Sequence, residues 1–263
     1  MNFRRLAGFL LLSTFGAQPS TFAAEPAGPV TSDRPISLVL TYRARPETRA
    51  EFRAWLETKG AAQFAAWKKA GVVADAQLLF STFPSAANPD LVVVLDFARF
   101  TDSARWREIE RRQPGGLTPE ALRLATVESG NYGEPLSRAA AARSDPARAV
   151  YLIVFYATHV AAAEYAKYVA GYTVPQMKAW MEAGPLSGYQ MLYNTTSQNT
   201  PWDALLIMEY ADLAAFTRRD EIKGAARAKL NATDPVFKAY SDSKAKIRDD
   251  RAVFHADAIP LPR

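Results

Sequence analysis

The chain has no cysteine and only two histidines, His159 and His255, among its 263 residues. The lack of thiols excludes a disulfide framework and thiolate chemistry, so the fold must rest on burial. With two imidazoles, any metal centre or catalytic triad has to use one of them, and no HExxH, GxSxG or glycine-rich phosphate loop is present. Charge of one sign is in small excess: 32 Lys and Arg face 27 Asp and Glu, a formal +5 that falls to +3 without Arg4 and Arg5. That surplus is too small to recruit a polyanion, and no nucleic-acid partner is expected. Long apolar runs are scarce as well. The run from Leu6 to Phe15 is shorter than the ~20 residues of a membrane-spanning helix. Preceded by Arg4 and Arg5 and followed by the small-residue site Thr21-Phe22-Ala23, it reads as the core of a signal peptide over residues 1–23. The expectation is a mature chain that begins near Ala24, is periplasmic or secreted, and has no membrane span. Arg4 and Arg5 before Leu6 suit the general secretory and the twin-arginine routes alike.

What the sequence has in abundance is self-similarity. Ala66, Trp67, Ala70, Gly71, Gln77, Leu79, Thr82, Asp90 and Ala98 recur as Ala179, Trp180, Ala183, Gly184, Gln190, Leu192, Thr195, Asp203 and Ala211, all displaced by 113 residues. A constant spacing through a helix, a turn and two strands reads as a tandem duplication. Each repeat patterns as strand, helix, strand, strand, helix, strand. In the first these fall at 37–44, 47–70, 76–82, 91–97, 103–112 and 122–128; in the second at 150–158, 161–183 with a break near Pro175, 188–195, 204–210, 213 to about 247, and 252–259. The units are 34–132 and 149–259, joined by a linker over 133–148 that is rich in Ala, Arg, Ser and Pro from Ser137 on.

That element order is the ferredoxin-like one, with strands 4-1-3-2 in an antiparallel sheet and helices on one face. The strand from Tyr151 to Tyr156 is apolar on both sides, so its helix-free face must be buried too. The predicted fold is therefore α+β: two ferredoxin-like units whose antiparallel sheets pack face to face as an intramolecular pseudo-dimer. The passages Ala66-Trp67-Lys68-Lys69-Ala70-Gly71 and Ala179-Trp180-Met181-Glu182-Ala183-Gly184, with the strand ends Leu95-Asp96-Phe97 and Met208-Glu209-Tyr210, make the chain resemble the dimeric α/β-barrel superfamily. That superfamily includes cofactor-free quinol monooxygenases, muconolactone isomerase, chlorite dismutase, haem-degrading enzymes and members without an assigned activity. The resemblance thus implies a fold more than a reaction.

The antiparallel neighbours in such a sheet suggest that His159, after the first strand of the second repeat, and His255, in its last strand, reach one edge. Tyr193, Asn194 and Trp202 reach it too, with Tyr156 nearby, and these residues with His255 form a predicted small-molecule mouth. His159 and Glu209 are the candidate catalytic groups. Glu209 and its counterpart Asp96 end the third strands, where a carboxylate entering an apolar pocket could serve as a general base on an enolisable or phenolic substrate. Glu209 lies opposite His159, so the two do not form a dyad within one repeat. Tyr165, Tyr168 and Tyr172 share a helix face, which suits core packing or an aromatic ligand. Trp67 and Trp180, repeated before a helix stop, read as packing residues.

His159, His255 and Asp257 would make a two-histidine, one-carboxylate set, but register alone does not bring three ligands to ~2.0–2.2 Å of one ion, and no metal is expected. Relatives of this shape bind haem. Its family binders present a histidine from a helix, unlike His159 and His255, so no cofactor is expected. Leu91 to Phe97 lacks the glycine and aromatic signature of RNA-recognition modules. The functional expectation is an exported small-molecule-binding protein, a cofactor-independent oxidoreductase or isomerase acting on an aromatic or quinone-like compound. The alternative is a non-catalytic binding or interaction module that uses the duplicated fold as scaffold. Assembly into a homo-oligomer is left open.

Overall fold

A computed structural model describes residues 33–140, 145, 147–196 and 200–262. The signal peptide read over residues 1–23 lies outside them. In the first half, β1 (Ile36–Ala44) is followed by α1 (Arg49–Trp55), a π-helical turn (Leu56–Gly60), α2 (Ala61–Lys69), β2 (Asp75–Ser81), β3 (Leu91–Phe97), α3 (Ser103–Glu110) and β4 (Ala125–Ala140). In the second half, β5 (Val150–Thr158) is followed by α4 (Ala162–Tyr168), a π-helical turn (Val169–Thr173), α5 (Val174–Glu182), β6 (Leu186–Asn194) and β7 (Ala204–Tyr210). Three helices, α6 (Leu213–Thr217), α7 (Arg219–Thr233) and α8 (Pro235–Ile247), then lead into β8 (Arg248–Ala258).

Local chemistry accounts for the element ends. Gly71 and Gly184, at φ +68° and +93°, follow α2 and α5 in the left-handed region that ends a helix cheaply only at glycine. Asp234 caps α8 by accepting the Val236 and Phe237 N–H groups at 2.9 and 3.0 Å, and Pro235 fills the first turn, where no N–H is needed. The break expected near Pro175 is instead the π-helical turn before α5, with Pro175 in that helix's first turn. The same turn occurs in the first half without a proline.

The strands close into a barrel in the order β1-β3-β2-β8-β5-β7-β6-β4, with every neighbouring pair antiparallel. Within each half the order is last, first, third, second strand. The two sheets do face one another, but they also join at both edges, through β2 with β8 and β4 with β6. Closure removes the unpaired edges that open sheets would leave. It also recruits residues read as linker: β4 runs on to Ala140 and pairs with β6 from Gly133 onward. Pro135 sits next to a register shift in that ladder, where a missing N–H does least harm.

Burial follows three layers. Phe52, Trp55, Phe64 and Trp106 pack between helices and sheet in the first half, and Tyr165, Tyr168, Tyr172, Met177 and Trp180 do so in the second. Inside the barrel, Val39, Leu79, Val92 and Val94 meet Ile153, Phe155, Leu205, Ile207 and Phe254. Both faces of β5 are therefore covered, which is why its sequence does not alternate.

Candidate functional site

The groups proposed from sequence are distributed over several places. His159 is exposed, with its Nε2 2.8 Å from Asp249 Oδ2. His255 lies opposite Leu152 in the β5–β8 ladder, seven residues before His159 along β5, or roughly 23 Å at ~3.3 Å per residue. The two imidazoles thus occupy opposite ends of the ladder and share no rim. The physical reason is the antiparallel pairing itself: the end of β8 lies beside the start of β5, not beside its end. Asn194 is a loop brace, donating to the Trp202 carbonyl and accepting from the Thr196 N–H, both at 2.8 Å. Trp202 packs on Phe155, and Tyr193 on Tyr165. Asp257 pairs with Arg53 at 3.0 Å, and no group of three or more metal-ligating side chains is found among the described residues.

His255 packs edge-on against Phe216, which in turn carries the Arg219 guanidinium 3.8 Å above its ring. Burial, with the Arg219 charge adding to it, holds the His255 imidazole below its usual 6.5. The unfolded chain then binds this proton more readily. The resulting stability is present above about pH 6.5 and is lost as pH falls from there toward the lowered folded value. His255→Gln is expected to flatten this part of the acid dependence. Urea midpoints of parent and variant between pH 7.5 and 5.5 check it, and equal falls in both would refute it.

Tyr156 lines a cavity of about 140 Å³ between the outer face of the second half's strands and its helices. Period-two alternation sends Leu152, Val154 and Tyr156 of β5 and Leu206, Met208 and Tyr210 of β7 into this space, while Tyr172, Met177 and Trp180 close it from the helix side. Trp180, read from sequence as scaffold alone, is buried and also lines the cavity. Five cations surround it, Arg219, Lys223, Arg227, Lys244 and Arg248, against two carboxylates, Asp220 and Asp250. Arg248 lies 3.8 Å over the Tyr156 ring, donates to the Tyr168 hydroxyl at 3.0 Å and pairs with Asp250 at 2.6 Å. Burial pushes the Lys223 and Lys244 ammonium groups below their usual range, and the neighbouring Arg227 and Arg248 push further in the same direction. An anion entering the cavity would relieve that repulsion. Three of these cations do leave a trace in sequence, since 219, 223 and 227 repeat at four-residue spacing on α7.

A second cavity, of about 360 Å³, opens at one mouth of the barrel. Continuing inward alternation places Gln77 beyond Leu79, Asp96 beyond Val94, Gln190 beyond Leu192 and Glu209 beyond Ile207, so a polar layer caps the apolar interior. Arg138 pairs with Asp96 at 2.6 Å and donates to Gln190 Oε1 at 2.9 Å. Ser37 donates to Asp96 at 2.6 Å.

No family model matches the chain, and no curated protein does. Its fold is similar to that of a candidate monooxygenase from Lactobacillus acidophilus NCFM, 14% identical over 87% of this chain and 96% of that one, with a TM-score of 0.54. An anthrone oxidase-like protein is 11% identical, with coverages of 87% and 92% and a TM-score of 0.53. A mutant chlorite dismutase from Candidatus Nitrospira defluvii in complex with cyanide is 12% identical, with coverages of 88% and 93% and a TM-score of 0.50. The likeness is one of fold.

The expectation of no cofactor is corrected by this comparison, because the superfamily resemblance implied haem for relatives of this shape and a chlorite dismutase in complex with cyanide shares the fold. Haem itself does not fit the cavity beneath the helices. About 140 Å³ lies well under the ~300–1,000 Å³ usual for small-molecule sites, and no histidine lines it. Of the axial donors left, the Tyr156 and Tyr210 phenols resist ionisation, since burial pushes the first up and the second up to about 12, and the thioethers of Met177 and Met208 remain. No helix of the described residues is long and apolar enough to cross a membrane. The geometry therefore belongs to a closed α+β barrel whose fold is shared with proteins named as a monooxygenase and as anthrone oxidase-like.

Proposed function

We propose that the protein is an oxidoreductase-type, small-molecule-binding protein whose ligand is a single-ring aromatic anion, or a quinone-like relative of one, held in the cavity beneath the second half's helices. The observation that carries this reading is the cavity's combination of size and lining. An apolar cavity of roughly 150 Å³ accepts benzene, and about 140 Å³ bounded by Tyr156, Tyr172, Tyr210 and Trp180 offers comparable room for one ring. The five cations at its rim select a carboxylate or phenolate over a neutral ring. The alternative is a binding module without turnover.

Calorimetric titration with 4-hydroxybenzoate, and with benzyl alcohol as a neutral counterpart, tests the site. Arg248→Met is expected to weaken 4-hydroxybenzoate binding about 10- to 100-fold, as removal of a charge-assisted hydrogen bond does. Equal binding of the neutral ring, or an unchanged affinity in the variant, would sink the reading. Oxygen consumption with hydroquinone as substrate then separates an oxidoreductase from a binding module.

The same reading takes the scaffold as a tandem duplication of ferredoxin-like units, about 34–132 and 149–259. Its support is the recurrence of fine structure at nearly one spacing. The π-helical turns at Leu56–Gly60 and Val169–Thr173, the glycine stops at Gly71 and Gly184, and the register shifts at Thr41/Tyr42 and Phe155/Tyr156 all reappear. Export is part of the proposal, and N-terminal sequencing of the mature protein, expected to begin near Ala24, tests it.

A further inference from the structure

The mouth of the barrel holds two carboxylates at corresponding positions, and they are treated differently. Asp96 is neutralised by Arg138 and accepts from Ser37. Glu209, its counterpart, meets no cation among the described residues, and its Oε1 is buried without a hydrogen-bond partner. Tyr151 and Gln77 line the same cavity beside it. Glu209 as a whole is half-buried, but an oxygen shut off from water without a donor is costly, and such atoms are normally met by a partner or a ligand. The register adds room at the same point. Asp75 stands opposite Asp96 in the first half, whereas Gly188 stands opposite Glu209 in the second. A Cβ at Gly188 would lie 3.2 Å from the Ala139 carbonyl oxygen and 3.5 Å from Glu209 Oε2, so glycine keeps this wall of the cavity open.

We infer that the barrel mouth is a second binding site, distinct from the cavity beneath the helices, which takes a compact organic cation such as a protonated primary amine. The ligand's ammonium group supplies to Glu209 the counter-charge that Arg138 supplies to Asp96. Its N–H donors meet Glu209 Oε1, and Gln77, Gln190 and the Tyr151 oxygen offer further acceptors around the same space of about 360 Å³. The aliphatic part faces Ile207, Ala258 and Ile259.

The test is calorimetric titration of the full chain with n-butylammonium chloride at pH 7.5 and constant ionic strength, with sodium butyrate as the charge-reversed control. Saturable binding of butylammonium is expected, with a loss of tenfold or more in Glu209→Gln and no saturable binding of butyrate that depends on Glu209. Gly188→Ala, which keeps the carboxylate but sets a methyl group against it, is expected to weaken butylammonium as well, and it keeps the test available if the Gln variant folds poorly. Absence of saturable heat with butylammonium, or parental affinity in both variants, would overturn the inference.

Discussion

Replacing Asp90 with alanine is expected to cost about 3 to 5 kcal/mol of stability, the usual penalty for removing one partner of a buried ion pair. Asp90 is 4% exposed. It receives the Arg49 guanidinium at 2.6 Å and the Ala44 N–H at 3.0 Å, while its own N–H bonds to the Tyr42 carbonyl at 2.9 Å. Arg49 also packs over the Phe80 ring, so the alanine variant leaves a half-buried guanidinium against an apolar neighbour. Asp203 performs the same backbone task in the second half, accepting the Thr158 N–H at 2.8 Å, but has no ion-pair partner among the described residues. Asp203→Ala is therefore expected to cost less, about 1.5 to 3 kcal/mol, the value of a hydrogen bond to a charged group. Urea midpoints at equal m-values compare the two. A cost for Asp203→Ala equal to or above that of Asp90→Ala would show that the backbone bond, not the ion pair, dominates.

Trp106→Ala is the second large effect, again about 3 to 5 kcal/mol. The indole is 1% exposed on α3 and meets Trp67 edge-on at 5.2 Å and Phe64 at 6.4 Å. The chain has moulded itself to this ring: Gly116 is at φ +71°, and a Cβ there would lie 2.8 Å from Trp106. Trp106 Nε1 has no hydrogen-bond partner, so Trp106→Phe gives up packing volume but no polar contact and should cost under half as much as the alanine change. Because Trp106 belongs to the first half's core, 4-hydroxybenzoate affinity should stay within about twofold in either variant that remains folded. A large loss of affinity with little loss of stability would mean that the site had been placed in the wrong half.

Much of the scaffold is legible in the residues because it depends on local periodicity. The strands and helices follow from spacings of two and about 3.6, and Gly71 and Gly184 mark helix ends because only glycine enters the left-handed region cheaply. The apolar run from Tyr151 to Tyr156 likewise required cover on both faces, which the barrel interior and the second half's helices supply. Sequence position also places Asp96 and Glu209 at corresponding strand ends.

The candidate sites were less legible, since each depends on partners far apart in the chain. Composition marks Gly133 to Ala140 as connecting chain, and only the presence of β6 alongside makes it strand. The separation of His159 from His255 follows from which end of β8 meets which end of β5, a matter of ladder register. The cations from α7, α8 and β8 converge because three elements pack against one sheet face, and the contrast between Asp96 and Glu209 arises because Arg138 reaches one and not the other. The sequence alone thus determined the element order and the faces to be buried, because backbone sterics and hydrophobic period are local. The tertiary structure decided edge closure, the cavity volumes and the pairing of charges, because these depend on distances between residues that only packing brings together.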